Sequence, residues 1–211
     1  MARHKERREE SSMRFDLQII GNLIGEGSRV LDLGCGRGDL LEFLQSEKNV
    51  TGYGIEINEE KVIDAISRGL SILRGDINKE TRDYADKSFD YVILSQTLQQ
   101  VYQPEVLIKE MLRIGKRGIV SFPCFNHYGI KLQLLLTSKA PVTEELPFEW
   151  YNTPNIRVIT LRDFRIFCAK YRIKIIKELA ISSHYKETTG KIVGFIPDWF
   201  ARYGIFFLSS S

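Results

Sequence analysis

Residues 29–44 read RVLDLGCGRGDLLEFL: a short strand-like run, three glycines at alternate positions and a leucine-rich stretch with helical spacing. A chain that passes from strand to helix through Gly34, Gly36 and Gly38 makes a tight turn that lies open to a ligand. Glycine reaches positive φ and carries no Cβ to block the approach. The N–H groups opening the next helix favour negative or polar ligand atoms. The dinucleotide fingerprint requires its third glycine at position 39, where this sequence has Asp39, and a carboxylate beside a pyrophosphate is unfavourable. Asp32, two residues ahead of the first glycine, adds another acid at the strand end. It suits a cationic amino group better than a phosphate.

Short apolar runs separated by helix-length polar segments continue downstream. The runs are Val30 to Leu33, Val50 to Ile57, Leu70 to Leu73, Phe89 to Leu94 and Gly118 to Phe122, and the helices between them are expected at Asp39 to Ser46, Glu59 to Ser67 and Pro104 to Ile114. This alternation predicts βαβ units around a parallel sheet. A covering helix is expected over Met13 to Ile24, with Gly25 as its stop. After Pro123 the texture changes: an apolar helix-like stretch, Tyr128 to Leu136, leads into PVTEELPFEWYNTPNIR, so residues 124–160 are expected to form a lid or docking insertion. A helix from about Leu161, a strand from Lys174 to Ile181 and an apolar run from Tyr203 to Leu208 complete the pattern.

With 211 residues the chain is long enough for one domain, expected over 13–211, and the polar start MARHKERREESS, residues 1–12, reads as a frayed extension rather than a signal peptide. No stretch approaches the ~18 apolar residues of a membrane span. A net charge of +3 is far from that of a dedicated nucleic-acid binder. Cys35, Cys124 and Cys168 are odd in number and far apart, which predicts neither disulfides nor a zinc site and fits a reducing, cytoplasmic setting. Without paired ligands at i+4 spacing beside His4, His127 or His184, no metal site is expected.

Glu56 ends the second strand about 20 residues beyond the loop, where an acid can accept hydrogen bonds from both ribose hydroxyls. Asp76, in GDIN after the third strand, is placed to receive an adenine amino group. The pattern of Asp32, Gly34, Gly36, Gly38 and Glu56 resembles the class I S-adenosylmethionine-dependent methyltransferases over roughly residues 14–123. That resemblance implies a Rossmann-like α/β fold: a mostly parallel central sheet with an antiparallel C-terminal strand and helices on both faces. It also implies S-adenosyl-L-methionine or S-adenosyl-L-homocysteine as ligand. Asp32 would then face the methionine amino end, Glu56 the ribose and Asp76 the adenine. Cys35, Ile57, Ile77 and Ser95 complete the expected cofactor-binding set.

Two further stretches, SFDYVILSQTLQQVYQPEVLIKEMLRIGKRGIVSFPCF and LPFEWYNTPNIRVITLRDF, resemble the MetW family of methionine-biosynthesis proteins, from about Met13 to Phe167. The YNTPNIR segment is more diagnostic than the glycine loop. Membership implies a role in making methionine in partnership with homoserine O-acetyltransferase (MetX). The alternative is an active methyltransferase acting on a small molecule. The sequence departs from the common family text at Asn152, in place of Asp, and at Cys124, in place of Asn.

A dedicated catalytic set is not evident. Methyl transfer can proceed by positioning alone, and the loop after the fourth strand, SQTLQQ, lacks the Asn/Asp-Pro-Pro-Tyr motif of amino-group methyltransferases. Ser95, Gln96 and Gln99 either line a polar pocket or satisfy their own turn. His127 is the candidate general base at the expected mouth of a substrate site, with a backbone-bonded loop histidine as the alternative. Phe148, Trp150 and Tyr151 either dock a partner or pack internally. Leu132 to Leu136 is expected to be buried, and Lys170 to Lys174 to be a solvated helix end.

Overall fold

Val30 and Leu31, Ile93 and Leu94, Ile119 and Val120, and Ile205 and Phe206 are neighbours in sequence, yet each pair divides between two separate apolar clusters. A period of two along extended backbone sends successive side chains to opposite faces of a sheet. Both faces must therefore be covered. The computed structural model, which describes residues 13–143, 146–184 and 187–210, shows how.

Five parallel strands, β1 (Arg29–Leu33), β2 (Thr51–Glu56), β3 (Ser71–Arg74), β4 (Phe89–Ser95) and β5 (Gly115–Pro123), stand in the order β3-β2-β1-β4-β5. The sheet continues through β8 (Tyr203–Ser210), β6 (Ile173–Ser182) and the two-residue β7 (Lys191–Ile192). β8 lies antiparallel between β5 and β6, the antiparallel C-terminal strand implied by the resemblance.

Helices α1 (Phe15–Leu23), α2 (Asp39–Lys48) and α3 (Glu59–Ser67) cover one face with Leu17, Ile20, Leu40, Leu41, Leu44 and Ala65. On the other face α5 (Pro104–Ile114) and α7 (Leu161–Lys170) contribute Leu107, Ile108, Met111, Leu112, Leu161, Phe164 and Cys168. Local signals fix the helix starts. Pro104 occupies the first turn of α5, where its missing N–H costs nothing. Asn58 accepts from Lys61 N to cap α3, and Thr160 accepts from Asp163 N while its hydroxyl donates to the Asp163 carboxylate.

Three differences from the sequence reading have physical causes. β5 starts at Gly115, three residues before the expected Gly118, because parallel pairing with β4 engages the backbone of Gly115 and Arg117 whatever their side chains. α6 (Tyr128–Thr137) forms as expected, but Leu132, Leu134, Leu135 and Leu136 are exposed, the last two at 79% and 71%. The expected burial of this stretch is thus corrected: neighbouring leucines on a helix cannot all face one side, and Ile130 is the buried residue of α6. One-turn helices α4 (Ile77–Glu80) and α8 (Pro197–Phe200) are too short to show periodicity in the sequence. The expected extension 1–12, with His4, lies outside the described residues, as do Glu144 and Glu145 of the 124–160 segment.

Candidate functional site

In an open parallel sheet, loops leaving the strand ends on either side of a reversal in strand order diverge and leave a crevice. Here the reversal falls between β1 and β4, and the loops after β1, β2, β3 and β4 enclose a cavity of about 860 Å³. That volume lies in the range of small-molecule sites, ~300–1,000 Å³. Asp32, Gly34, Cys35, Gly36, Glu56, Ile57, Asp76, Ile77 and Ser95 all line it.

Glu56 organises the glycine loop. Its Oε2 accepts the Gly36 N–H at 2.9 Å and its Oε1 accepts the Asn58 N–H at 2.9 Å. A carboxylate offers about four acceptor sites, so these bonds leave capacity for two hydroxyls. Gly36, with φ of 60° and nothing within 4 Å of where a Cβ would be, is the open point of the loop. Gly38 serves differently. It does not line the cavity; it begins α2 in the left-handed region, and a Cβ there would collide with Leu70 Cδ1.

Asp32 is buried, and its Oδ1 has no hydrogen-bond partner. Burial first, and then the neighbouring Glu56 charge, raise its carboxyl to about 7, against a smaller opposing pull from Arg14. A cationic group in the cavity would relieve this. Burial likewise raises the Cys35 thiol, with Asp32 and Glu56 adding to the effect, so Cys35 is a neutral wall rather than a nucleophile. Asp76 caps α4, its Oδ1 accepting from Asn78 N and Nδ2 at 2.9 Å each, and these bonds hold its carboxyl below the usual range. Ile57 and Ile77 give the rim apolar surface.

In the loop after β4, Ser95 and Gln96 line the cavity, whereas Gln99 turns inward and donates to the Gln96 carbonyl. Both readings of SQTLQQ therefore hold, for different residues. His127 is not in the cavity wall. It is buried at the start of α6, where its Nδ1 accepts from Gly129 N, an arrangement that matches the backbone-bonded reading of this histidine. Trp150 and Tyr151 are 75% and 71% exposed, which removes internal packing as their role. Arg14 and Leu17 from the start of α1, and Gln100, Val101 and Tyr102 after β4, also line the cavity and carry no motif. The signal available for Arg14 was its position beside the acidic Asp16 at a helix start.

Among the described residues, no group of three His, Cys, Asp or Glu side chains could hold a metal ion, and no helix is long and apolar enough to cross a membrane. All three cysteines are free.

Solved structures that share this architecture include S-adenosylmethionine-dependent methyltransferases from Thermotoga maritima (TM-score 0.67, 18% identity, covering 93% of this chain and 88% of that one) and Archaeoglobus fulgidus (0.67, 14%, 92% and 90%). They establish the fold. A curated relative, the bifunctional methionine biosynthesis protein MetXA/MetW of Rhodopirellula baltica, is 33% identical over 177 residues. The match covers 80% of this chain but only 28% of that relative's length. The family described as methionine biosynthesis protein MetW matches residues 14–208. With that match spanning both the glycine loop and the sheet's antiparallel end, the chain belongs to the MetW family.

Proposed function

We propose that this chain binds S-adenosyl-L-methionine or S-adenosyl-L-homocysteine in the cavity at the strand ends and acts in methionine synthesis together with homoserine O-acetyltransferase. The observation that carries the ligand assignment is the buried Asp32, whose partnerless Oδ1 lies in the cavity wall and suits the ligand's ammonium group. The rest of the wall is compatible: Glu56 has acceptor capacity for a ribose diol, Gly36 leaves room beside the backbone, and Asp76 stands beside the apolar Ile57 and Ile77 for an adenine ring. Bound S-adenosylmethionine would supply an electrophilic methyl group.

The partnership is supported by the relative whose name joins MetXA to MetW in one protein. The exposed Trp150 and Tyr151 provide surface for such a contact. Their segment is tied to the cavity: Ile156 N and Arg157 N donate to the Gln99 carbonyl, and Arg157 Nη2 donates to the Tyr102 carbonyl at 2.6 Å. Cavity occupancy and partner contact can thus influence each other, and the chain senses the pathway's downstream product. Three free thiols suit a cytoplasmic setting.

The test is one incubation of the purified chain with labelled S-adenosylmethionine, with and without the acetyltransferase, recording binding, S-adenosylhomocysteine formation and acetyl transfer together. Binding that alters acetyl transfer supports the sensing role. Steady formation of S-adenosylhomocysteine with a defined acceptor would establish a methyltransferase instead, and absence of binding would remove the ligand assignment.

A further inference from the structure

β5 ends at Pro123 opposite Tyr203, where β8 begins, so the segment leaving one strand and the segment entering the other emerge side by side. α6 follows β5 and α8 precedes β8. The two helices touch: the ring centroids of Tyr128 and Phe200 are 5.7 Å apart, and Lys131 Nζ stands 3.9 Å over the Trp199 ring. Ile130 is the side chain that α6 buries. Tyr128, Leu132 and Leu135, at i, i+4 and i+7, form a stripe on the opposite side of that helix, with Leu136 beside it. Together with Trp199 and Phe200 they make an apolar surface whose residues are between 42% and 79% exposed.

At roughly 200 Å² per large apolar residue, those fractions leave about 700 Å² open to water. The largest apolar patch of a typical monomer covers ~300–600 Å², and each partner in a standard stable interface contributes ~800 Å². Charge is nearly absent. Residues 128–138 and 197–200 include two charged side chains, Lys131 and Asp198, and both are engaged within the chain. Lys131 lies on Trp199, and Asp198 accepts from Arg165 Nη1 at 3.1 Å.

We propose that this α6–α8 surface is a dimer interface that takes a second copy of the chain. A two-fold axis sets one patch against itself, so an unpaired charge near the axis would meet its own like charge. A surface of leucine and aromatic side chains with its charges already paired meets that requirement, and homodimer interfaces are the more apolar class. A helix lying on a membrane would instead carry several basic residues on its polar face, whereas α6 has Lys131 alone, folded onto a ring. None of the six surface residues lines the strand-end cavity, so dimerisation leaves both cavities open.

Sedimentation equilibrium of the purified full chain, without ligand or partner, tests this. At micromolar concentration the wild type is expected to have twice the monomer mass of 24.4 kDa. Leu135→Glu, which sets like charges across the contact, is expected to weaken association at least about a hundredfold and give the monomer mass. Leu135 is the most exposed of the six, so near-UV dichroism and urea unfolding of this variant should match the wild type. Ile63→Glu, at an exposed position on α3, should stay dimeric. A wild type that remains monomeric, or a dimer that survives Leu135→Glu, would overturn the proposal. A monomeric wild type whose binding to the acetyltransferase is lost in Leu135→Glu would also overturn it and give the surface to that partner. The wild-type mass decides even where a variant proves unstable.

Discussion

The carboxylate of Glu56 holds the backbone N–H of Gly36 at 2.9 Å, so the tip of β2 fixes the most open point of the glycine loop on β1. The same carboxylate holds Asn58 N, at the entrance to α3. One side chain thereby sets the spacing between two loops.

Glu56→Ala should therefore act on both ligand and loop. Each lost bond to a charged acceptor costs about 1.5–3 kcal/mol, so affinity for S-adenosylhomocysteine is expected to fall by one to several powers of ten. Calorimetry on the folded variant checks this, and unchanged affinity would remove Glu56 from the site.

Asp32 gives the apo protein a pH dependence of definite sign. Its folded-state carboxyl lies at about 7, above the ~3.9 of an unfolded aspartate, so the folded state binds more protons between those values. Stability then declines as pH rises from about 4 to about 7 and is flat above. An ammonium ligand reverses the preference by favouring the ionised acid, so affinity should rise by up to about tenfold per pH unit below 7 and level off beyond it. Asp32→Asn should abolish both trends, as urea unfolding and ligand titration across pH 5–8 would reveal.

Thr160→Ala removes the cap of α7 and its reciprocal contact with Asp163. A loss of about 1 kcal/mol is expected, which for a chain of this size lowers Tm by roughly 2–4 °C. Since α7 lies on the face lined by Phe164 and Cys168, away from the cavity wall, ligand affinity should not change.

Trp150→Ala should leave folding and ligand binding intact, because the side chain is exposed and outside the cavity, yet reduce co-purification with the acetyltransferase. Full retention of the partner by a folded variant would place the contact elsewhere.

Most of the sheet was legible because burial on two faces writes continuous apolar runs, as in Val92 to Leu94, and because glycines and acids at strand ends mark the crevice. Arg14 and Tyr102 were not legible as wall residues: long-range packing of α1 and of the loop after β4 brings them there, and neither belongs to a spaced motif. Local pattern left two readings open at His127, since a histidine near a strand end looks the same whether it faces a crevice or caps the next helix. The leucines of α6 misled for the opposite reason, their composition suggesting a core where the side chains stand exposed.

β8 comprises Tyr203–Ser210 and is seated between β5 and β6. During translation the slot it fills must stand empty until these residues clear the ribosome's exit tunnel, leaving two rows of unpaired main-chain groups on strands already made. The nascent protein is aggregation-prone in that interval, and a stop codon introduced before Tyr203 would leave it there permanently.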